Sequence, residues 1–315
     1  MTPSNIIQTL IEQSIRIIKE NGFKGFIVSF KEYYKNYPPI RYHFYFWLYS
    51  KIIRSKIIIR NIQGSKMYLN LNDLGLSKHL FFYGIREPEC TKIMQKILKK
   101  GMNIVDIGAN IGYYALMEAK EVGKRGKIYA IEPFPPNFEL LKKNIELNGY
   151  KNIEIFNIAI SDKPGKAKMY ISDKHNLCNM MESNISEFIE VPTITLDDFL
   201  KNKKMPDLIR MDIEGFEYYA IDGMEKTLKK CRKCNIFIEV HPFQMYEKNL
   251  DYKKPLKKLF KIGFKPTYII KEYGPLREET FEYDRDIDDF FSFLEDKQLT
   301  PPGYTHGFGL FLEKS

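Results

Sequence analysis

Apolar residues recur at helical spacing through the first 56 residues and then give way to short β-branched runs separated by amphipathic stretches. Ile7, Ile11, Ile15 and Ile18 share one face of a first helix, which Ser4 caps and Asn21 with Gly22 ends. A second helical segment stops at Pro38 and Pro39, and the stretch that follows crowds Tyr42, Phe44, Tyr45, Phe46, Trp47 and Tyr49 beside Arg41, Lys51 and Arg54. The runs KIIIRNI and KMYLNL around Gln63, Gly64 and Ser65 predict a β-hairpin. A helix is expected from near Glu87 to Gly101, with further helices over YYALMEAKEV and NFELLKKNIELN. Between and after them NIVDI, KIYAI, IEIFNIAI, DLIRMDI, NIFIEV, TYII and GFGLFL read as seven strands. Strands alternating with helices predict an α/β fold, a mainly parallel sheet with helices on both faces. The division this gives is an N-terminal helical, aromatic and basic extension over 1–56 and one globular domain over 57–315.

Composition narrows the class. At 315 residues, 44% hydrophobic and 28% charged, the chain can bury one full core, which excludes a disulfide-held miniprotein and a disordered tail. No stretch of 18 apolar residues runs free of charge, so a spanning helix is not expected. The opening MTPSNIIQTLIEQSIRIIKE reads as a capped helix and not as an export leader, and the four cysteines are scattered, so a reducing, cytoplasmic setting is expected. Cys231 and Cys234 form a CRKC pair with no second pair to complete a zinc site, and partly buried thiols are the expectation. The net charge of +9 is uneven: the first 100 residues hold 17 Lys and Arg against 6 Asp and Glu. Such a surface attracts phosphates, whether of nucleic acid, anionic headgroups or a phosphorylated glycan carrier. The aromatic and basic residues 41–60 suit peripheral docking at a membrane, and equally a cover over one side of the core.

The chemistry concentrates at Asn103 to Gly112, NIVDIGANIG, where a buried strand meets a turn bearing Gly108 and Gly112 and then a helix. Open parallel sheets bind ligands beyond the carboxyl ends of their strands, and small residues there let a ligand approach the backbone. A dinucleotide fingerprint starting at Gly108 needs glycine at 110 and 113, which are Asn110 and Tyr113. Glu132 ends the next strand, where an acid can accept both ribose hydroxyls, and Phe134 follows within reach of a purine face. A glycine turn and a ribose-binding acid without a pyrophosphate fingerprint point to S-adenosylmethionine (SAM), which has adenosine but no phosphate.

With those residues in place, the chain resembles the FkbM-type SAM-dependent methyltransferases. The matching stretches are YGIREPE, VDIGANIGYY, AIEPFPPNFELLKKNIELNG, AISDKPG, TLDDF, IRMDIEGFE and IEVHP, between residues 83 and 242 and in the family's order. Arg210 and Ile213 stand where the family often has Lys and Val, and the first 60 residues fall outside the likeness. The resemblance implies a Rossmann-like class I methyltransferase fold, a seven-stranded sheet whose last strand is antiparallel, with the cofactor-binding core at about 87–242. It assigns Asp106, Gly108, Asn110 and Gly112 to the methionine end of SAM and Glu132 to the ribose. Phe134, Ala159 and Asp162 then surround the adenine, and Glu87 closes over the amino-acid moiety unless it only caps its helix. Methyl transfer is expected where Asp212 and Glu214 meet Glu239 and His241, with His241 as general base, Asp212 orienting it or taking the proton itself, and a buried His and Asp tied to backbone groups as the competing view. These acids could also hold Mg²⁺, but no spacing specifies octahedral ligands, and no metal is assigned.

The implied activity is O-methylation of a hydroxyl, on a sugar, glycolipid or secondary-metabolite acceptor. A tRNA or other nucleic-acid methyltransferase is the alternative within the class. Against amino-base methylation, the turn after the fourth strand is DIEG and not a D/N-P-P-Y/F sequence. A non-catalytic SAM-binding interaction module is the alternative outside it.

Overall fold

The computed structural model describes residues 56–73, 75–171, 180–181, 187–274, 276–304 and 306–314. The helices expected before Lys56 lie outside the described residues, as do His175 and Cys178 of a polar loop whose sequence reads as part of an acceptor lid or as a surface loop.

The hairpin forms as β1 (Ile57–Ile62) and β2 (Ser65–Asn70), joined through Gln63 and Gly64, both at positive φ. Two consecutive left-handed residues give the tight turn whose twist suits a two-residue hairpin. Helices α1 (Leu76–Tyr83) and α2 (Pro88–Ile97) follow. Next come β3 (Asn103–Ile107), α3 (Tyr113–Val122), β4 (Lys127–Ile131), α4 (Pro135–Asn148) and β5 (Ile153–Phe156). The strands β6 (Ala159–Ile160), β7 (Gly165–Tyr170) and β8 (Phe188–Ile194) make a small separate sheet in the order β6-β8-β7. The chain then returns to the main sheet with β9 (Leu208–Met211), β10 (Cys234–Val240), β11 (Lys265–Gly274), β12 (Arg277–Glu282) and β13 (Phe308–Lys314).

The main sheet runs β12-β11-β13-β10-β9-β3-β4-β5. Its five strands from β10 to β5 are parallel, and β13 is antiparallel to both of its neighbours. Seven of these strands are the expected ones, in the class I methyltransferase order with the last strand inserted antiparallel. The eighth, β12, is an added edge strand whose sequence REETFE is too charged to announce itself; charge on an edge strand also blocks pairing with other chains. The expected single strand IEIFNIAI is two: the Asn157 side chain donates to the carbonyls of Glu132 and Pro133, and beyond it β6 pairs with β8 instead.

Alternate residues of the buried strands serve the two faces. Val105, Ile107, Ile209 and Met211 point to one core, whereas Ile104, Leu208 and Phe237 join α1, α2, α3 and the hairpin in the other. The chain leaves β3 toward β4 on one side and β9 lies on the other, so the switch point of the sheet opens a crevice between the carboxyl ends of β3 and β9.

Candidate active site

A cleft of about 790 Å³ of empty space, mouth included, opens at that switch point, lined among others by Arg86, Glu87, Asn110, Glu132, Asp212 and Glu214. The turn after β3 is held from beneath: the amides of Gly108 and Ala109 donate to the Ile131 carbonyl at 2.9 and 3.0 Å. Gly108 has φ +83, and a Cβ there would stand 2.0 Å from the Asp212 carbonyl oxygen, so only glycine lets the turn lie against the end of β9.

Glu132 accepts from the amides of Asn110 at 2.8 Å and Phe134 at 2.9 Å, one per carboxylate oxygen. Each oxygen keeps a lone pair for a further donor, which is what a vicinal diol presents. Burial pushes this carboxyl up to about 7, against the two amide hydrogen bonds. Met169, Met180, Pro133 and Ile213 add an apolar flank to the cleft. Phe134 and Ala159 lie behind Met169, in one small cluster with Val191.

The opposite end is polar. Glu87 occupies the residue before α2 at φ 46, and its side chain makes no cap. It accepts instead from the Tyr114 hydroxyl at 2.8 Å and pairs with Arg86. Tyr113 fixes the same loop, its hydroxyl bonded to the Arg86 backbone and to Thr91. Glu87 and Arg86 therefore face the cleft, with Tyr113 holding the Arg86 backbone and Tyr114 the Glu87 side chain.

Five of the expected ligand residues do not line the cleft: Phe134 and Ala159, and with them Asp106, Gly112 and Asp162. Asp106 is fully buried beneath the turn, where Arg210 donates to it at 2.9 Å. Parallel pairing of β3 and β9 sets Asp106 opposite Arg210, and Arg210 reaches on to Asp212 at 3.0 Å while lying over the Tyr114 ring at 4.1 Å. Burial raises the Asp106 carboxyl, offset in part by Arg210. Its role is to support the turn and not to touch a ligand. Gly112 packs toward Leu141 and starts α3. Asp162 is exposed and accepts from Ser161.

The acids after β9 and β10 do converge. Glu214 and Gly215 both take positive φ, which turns the chain sharply back into the helix Glu217–Ala220. That leaves Asp212 and Glu214 on the cleft and sends Glu217 inward. His241, 2% exposed, lies behind Glu214: its Nδ1 is 3.0 Å from Glu217 Oε1, and its Nε2 is 3.5 Å from both Glu214 Oε2 and Glu239 Oε1. Burial alone would lower the imidazole, but Glu214, Glu217 and Glu239 together hold it well above its ordinary value. Burial pushes Glu214 up to about 7, His241 opposing and Asp212 reinforcing the rise, and Glu239 up to about 8. Held charged by these acids, His241 is poorly suited to the general-base role expected of it, and Glu214 is the cleft-lining carboxylate raised to about 7.

Asp212, Glu214 and His241 bring ligand atoms within 4.8 Å of one another, as do Glu87, Glu239 and Glu272. In the first group His241 Nε2 faces Glu214 Oε2 at 3.5 Å. The second surrounds Arg86, whose charge it neutralises.

Arg86, Tyr113, Tyr114, Arg210 and Glu217 are site residues that sequence reading passed over, although all lie in stretches quoted for the family likeness. Their signal was there: polar residues inside otherwise apolar runs need buried partners.

The sequence profile described as "Methyltransferase FkbM domain" matches residues 106–296. Among curated proteins, the chain is 37% identical over 73 residues to the protein-L-isoaspartate O-methyltransferase of Methanococcoides burtonii, 22% of this chain and 36% of that protein. It is 27% identical over 194 residues to the 2-O-methyltransferase NoeI of Sinorhizobium fredii, 54% of this chain and 78% of that protein. The chain thus spans about a third of the length of the first of these relatives. A solved methyltransferase FkbM from Methylobacillus flagellatus aligns at TM-score 0.41 and 13% identity, over 74% of this chain and 53% of the other.

Proposed function

Because the chain belongs to the FkbM methyltransferase family, whose methyl donor is SAM, we propose that it transfers a methyl group to a hydroxyl of a sugar or glycan acceptor. The observation that carries the reading is Glu214: a cleft-lining carboxylate, pushed up to about 7 by burial, that can take a proton from an alcohol at neutral pH. The relative named as a 2-O-methyltransferase supports oxygen as the acceptor atom.

The residues fit the cofactor. Glu132 would hold the ribose diol, the apolar flank of Met169, Met180 and Pro133 the adenine, and Glu87 with Arg86 the charged amino-acid end. When bound, SAM supplies an electrophilic methyl on a sulfonium. The protein's own part is to orient and to accept a proton. The acceptor oxygen is held near Asp212 and Glu214 by hydrogen bonds to carboxylate oxygens, a pattern suited to polyols. Glu214 takes the hydroxyl proton, and the buried His241 behind it limits the charge that builds there. The clamped Arg86–Glu87 loop and the Tyr114 ring narrow the site on its other side.

Incubation of the full chain with methyl-labelled SAM and cell extract separated into glycan, lipid and tRNA pools tests the acceptor. Label is expected in the glycan pool or in glycolipid, and label confined to tRNA overturns the proposal. No label anywhere would favour a SAM-binding interaction module.

A further inference from the structure

Glu217 takes no part in lining the cleft, yet it is the carboxylate closest to His241. It is fully buried, and its Oε1 accepts from the Ile213 amide at 3.2 Å and meets His241 Nδ1 at 3.0 Å. A hydrogen bond from a ring nitrogen to a carboxylate requires that nitrogen to carry the proton. The other ring nitrogen faces carboxyl oxygens too, from Glu214 and Glu239. Gly307 of the C-terminal segment lies against the ring so closely that a Cβ there would sit 3.0 Å from Nε2 and 2.8 Å from Glu239 Oε1. Tyr304 holds that segment, its hydroxyl donating to the Gly307 carbonyl at 2.8 Å.

We propose that Glu217 is the positioning residue of the site: it fixes the His241 ring so that Nε2–H is directed at Glu214 and Glu239, and so decides which carboxylate oxygen is left for the acceptor. The inference rests on the reading of Glu214 as the proton acceptor. A carboxylate behind a histidine sets the orientation and proton state of the ring in many sites, and its loss costs about 10- to 100-fold behind a metal-bound histidine and about 10⁴-fold in a catalytic triad. Here the order of action is Glu217 to His241 to Glu214, with only the last exposed to the cleft. The charged groups that face the ring are Asp212, Glu214 and Glu217 from the segment after β9 and Glu239 from β10, and Arg86 acts on Glu214. Gly307 brings only backbone.

The ring itself reports the answer. In ¹⁵N-labelled full-length protein, the His241 ring nitrogens, assigned with His241→Gln, are expected to show the doubly protonated form through pH 8. In Glu217→Gln, which keeps an oxygen for the Ile213 amide and removes the charge, the neutral form should appear at least one pH unit lower. Glu217→Asp should restore the charged ring in part. With SAM and the glycan pool, turnover of Glu217→Gln is expected to fall about 10- to 100-fold, while SAM affinity measured by calorimetry stays within about twofold. An unchanged ring titration in Glu217→Gln overturns the proposal. So does a neutral ring at pH 7 in the wild type, which decides the matter even if the variant fails to fold. Absence of methyl transfer to any hydroxyl by the wild type, with the ring held charged, would count against the O-methylation reading instead.

Discussion

Glu214 combines three properties that rarely coincide in one side chain: a place on the cleft, a left-handed backbone that directs it there, and a carboxyl pushed up to about 7. The acting form is the carboxylate, so protonation removes it, and turnover is expected to fall about tenfold per pH unit below about 7 and to level off above. Glu239, at about 8, holds its proton longer, so the limb belongs to the coupled cluster with Glu214 the first to ionise. Glu214→Gln should lower kcat by about 100-fold or more and flatten that limb. A Glu214→Gln enzyme that retains both rate and profile would remove Glu214 from the chemistry. Arg210 shows the opposite use of charge: between Asp106 and Asp212 it cancels two acids and leaves the second fixed at the cleft edge.

At the scale of elements, the glycine turn after β3 carries most weight, and two glycines separate its causes. Gly108 and Gly149 both have positive φ, but a Cβ at Gly108 would strike the Asp212 carbonyl whereas nothing lies within 4 Å at Gly149. Gly149→Ala is therefore expected to cost only the backbone penalty of roughly 1–2 kcal/mol in unfolding free energy, with SAM affinity unchanged. Gly108→Ala should cost more and weaken SAM binding at least tenfold, because the turn must leave the end of β9. Equal effects of the two substitutions, read by denaturant unfolding and calorimetry, would show that the close approach to β9 does not matter. The elements legible in the sequence were those whose pattern is local: the hairpin, NIVDI with its turn and α3, and α4 between Pro135 and Gly149. The edge strand β12 and the small sheet of β7 and β8 were not, since charged, half-exposed strands carry little periodicity. The same holds for the site. Glu132, Asp212 and Glu214 were legible because they end parallel strands, where such sheets bind ligands. The pairing of Asp106 with Arg210 depends on register between strands 104 residues apart, and that of Glu217 with His241 on a sharp reversal at Glu214 and Gly215.

Across the whole molecule, the charge pattern and the sheet divide the work. The basic excess of the sequence lies before residue 100, whereas the cleft is lined by the acids Glu87, Glu132, Asp212 and Glu214. On the proposed reading such a site suits a cationic donor and a neutral, hydroxyl-bearing acceptor better than a phosphate. No helix among the described residues is long and apolar enough to cross a membrane. On the proposed reading the donor lies at the switch point between β3 and β9. The measurement that tests this most directly is a crystal structure of the full chain grown with S-adenosylhomocysteine. The ribose hydroxyls should lie on the Glu132 carboxylate, with the sulfur toward Asp212 and Glu214. A nucleoside bound elsewhere, or a cleft that stays empty at saturating concentration, would contradict the account.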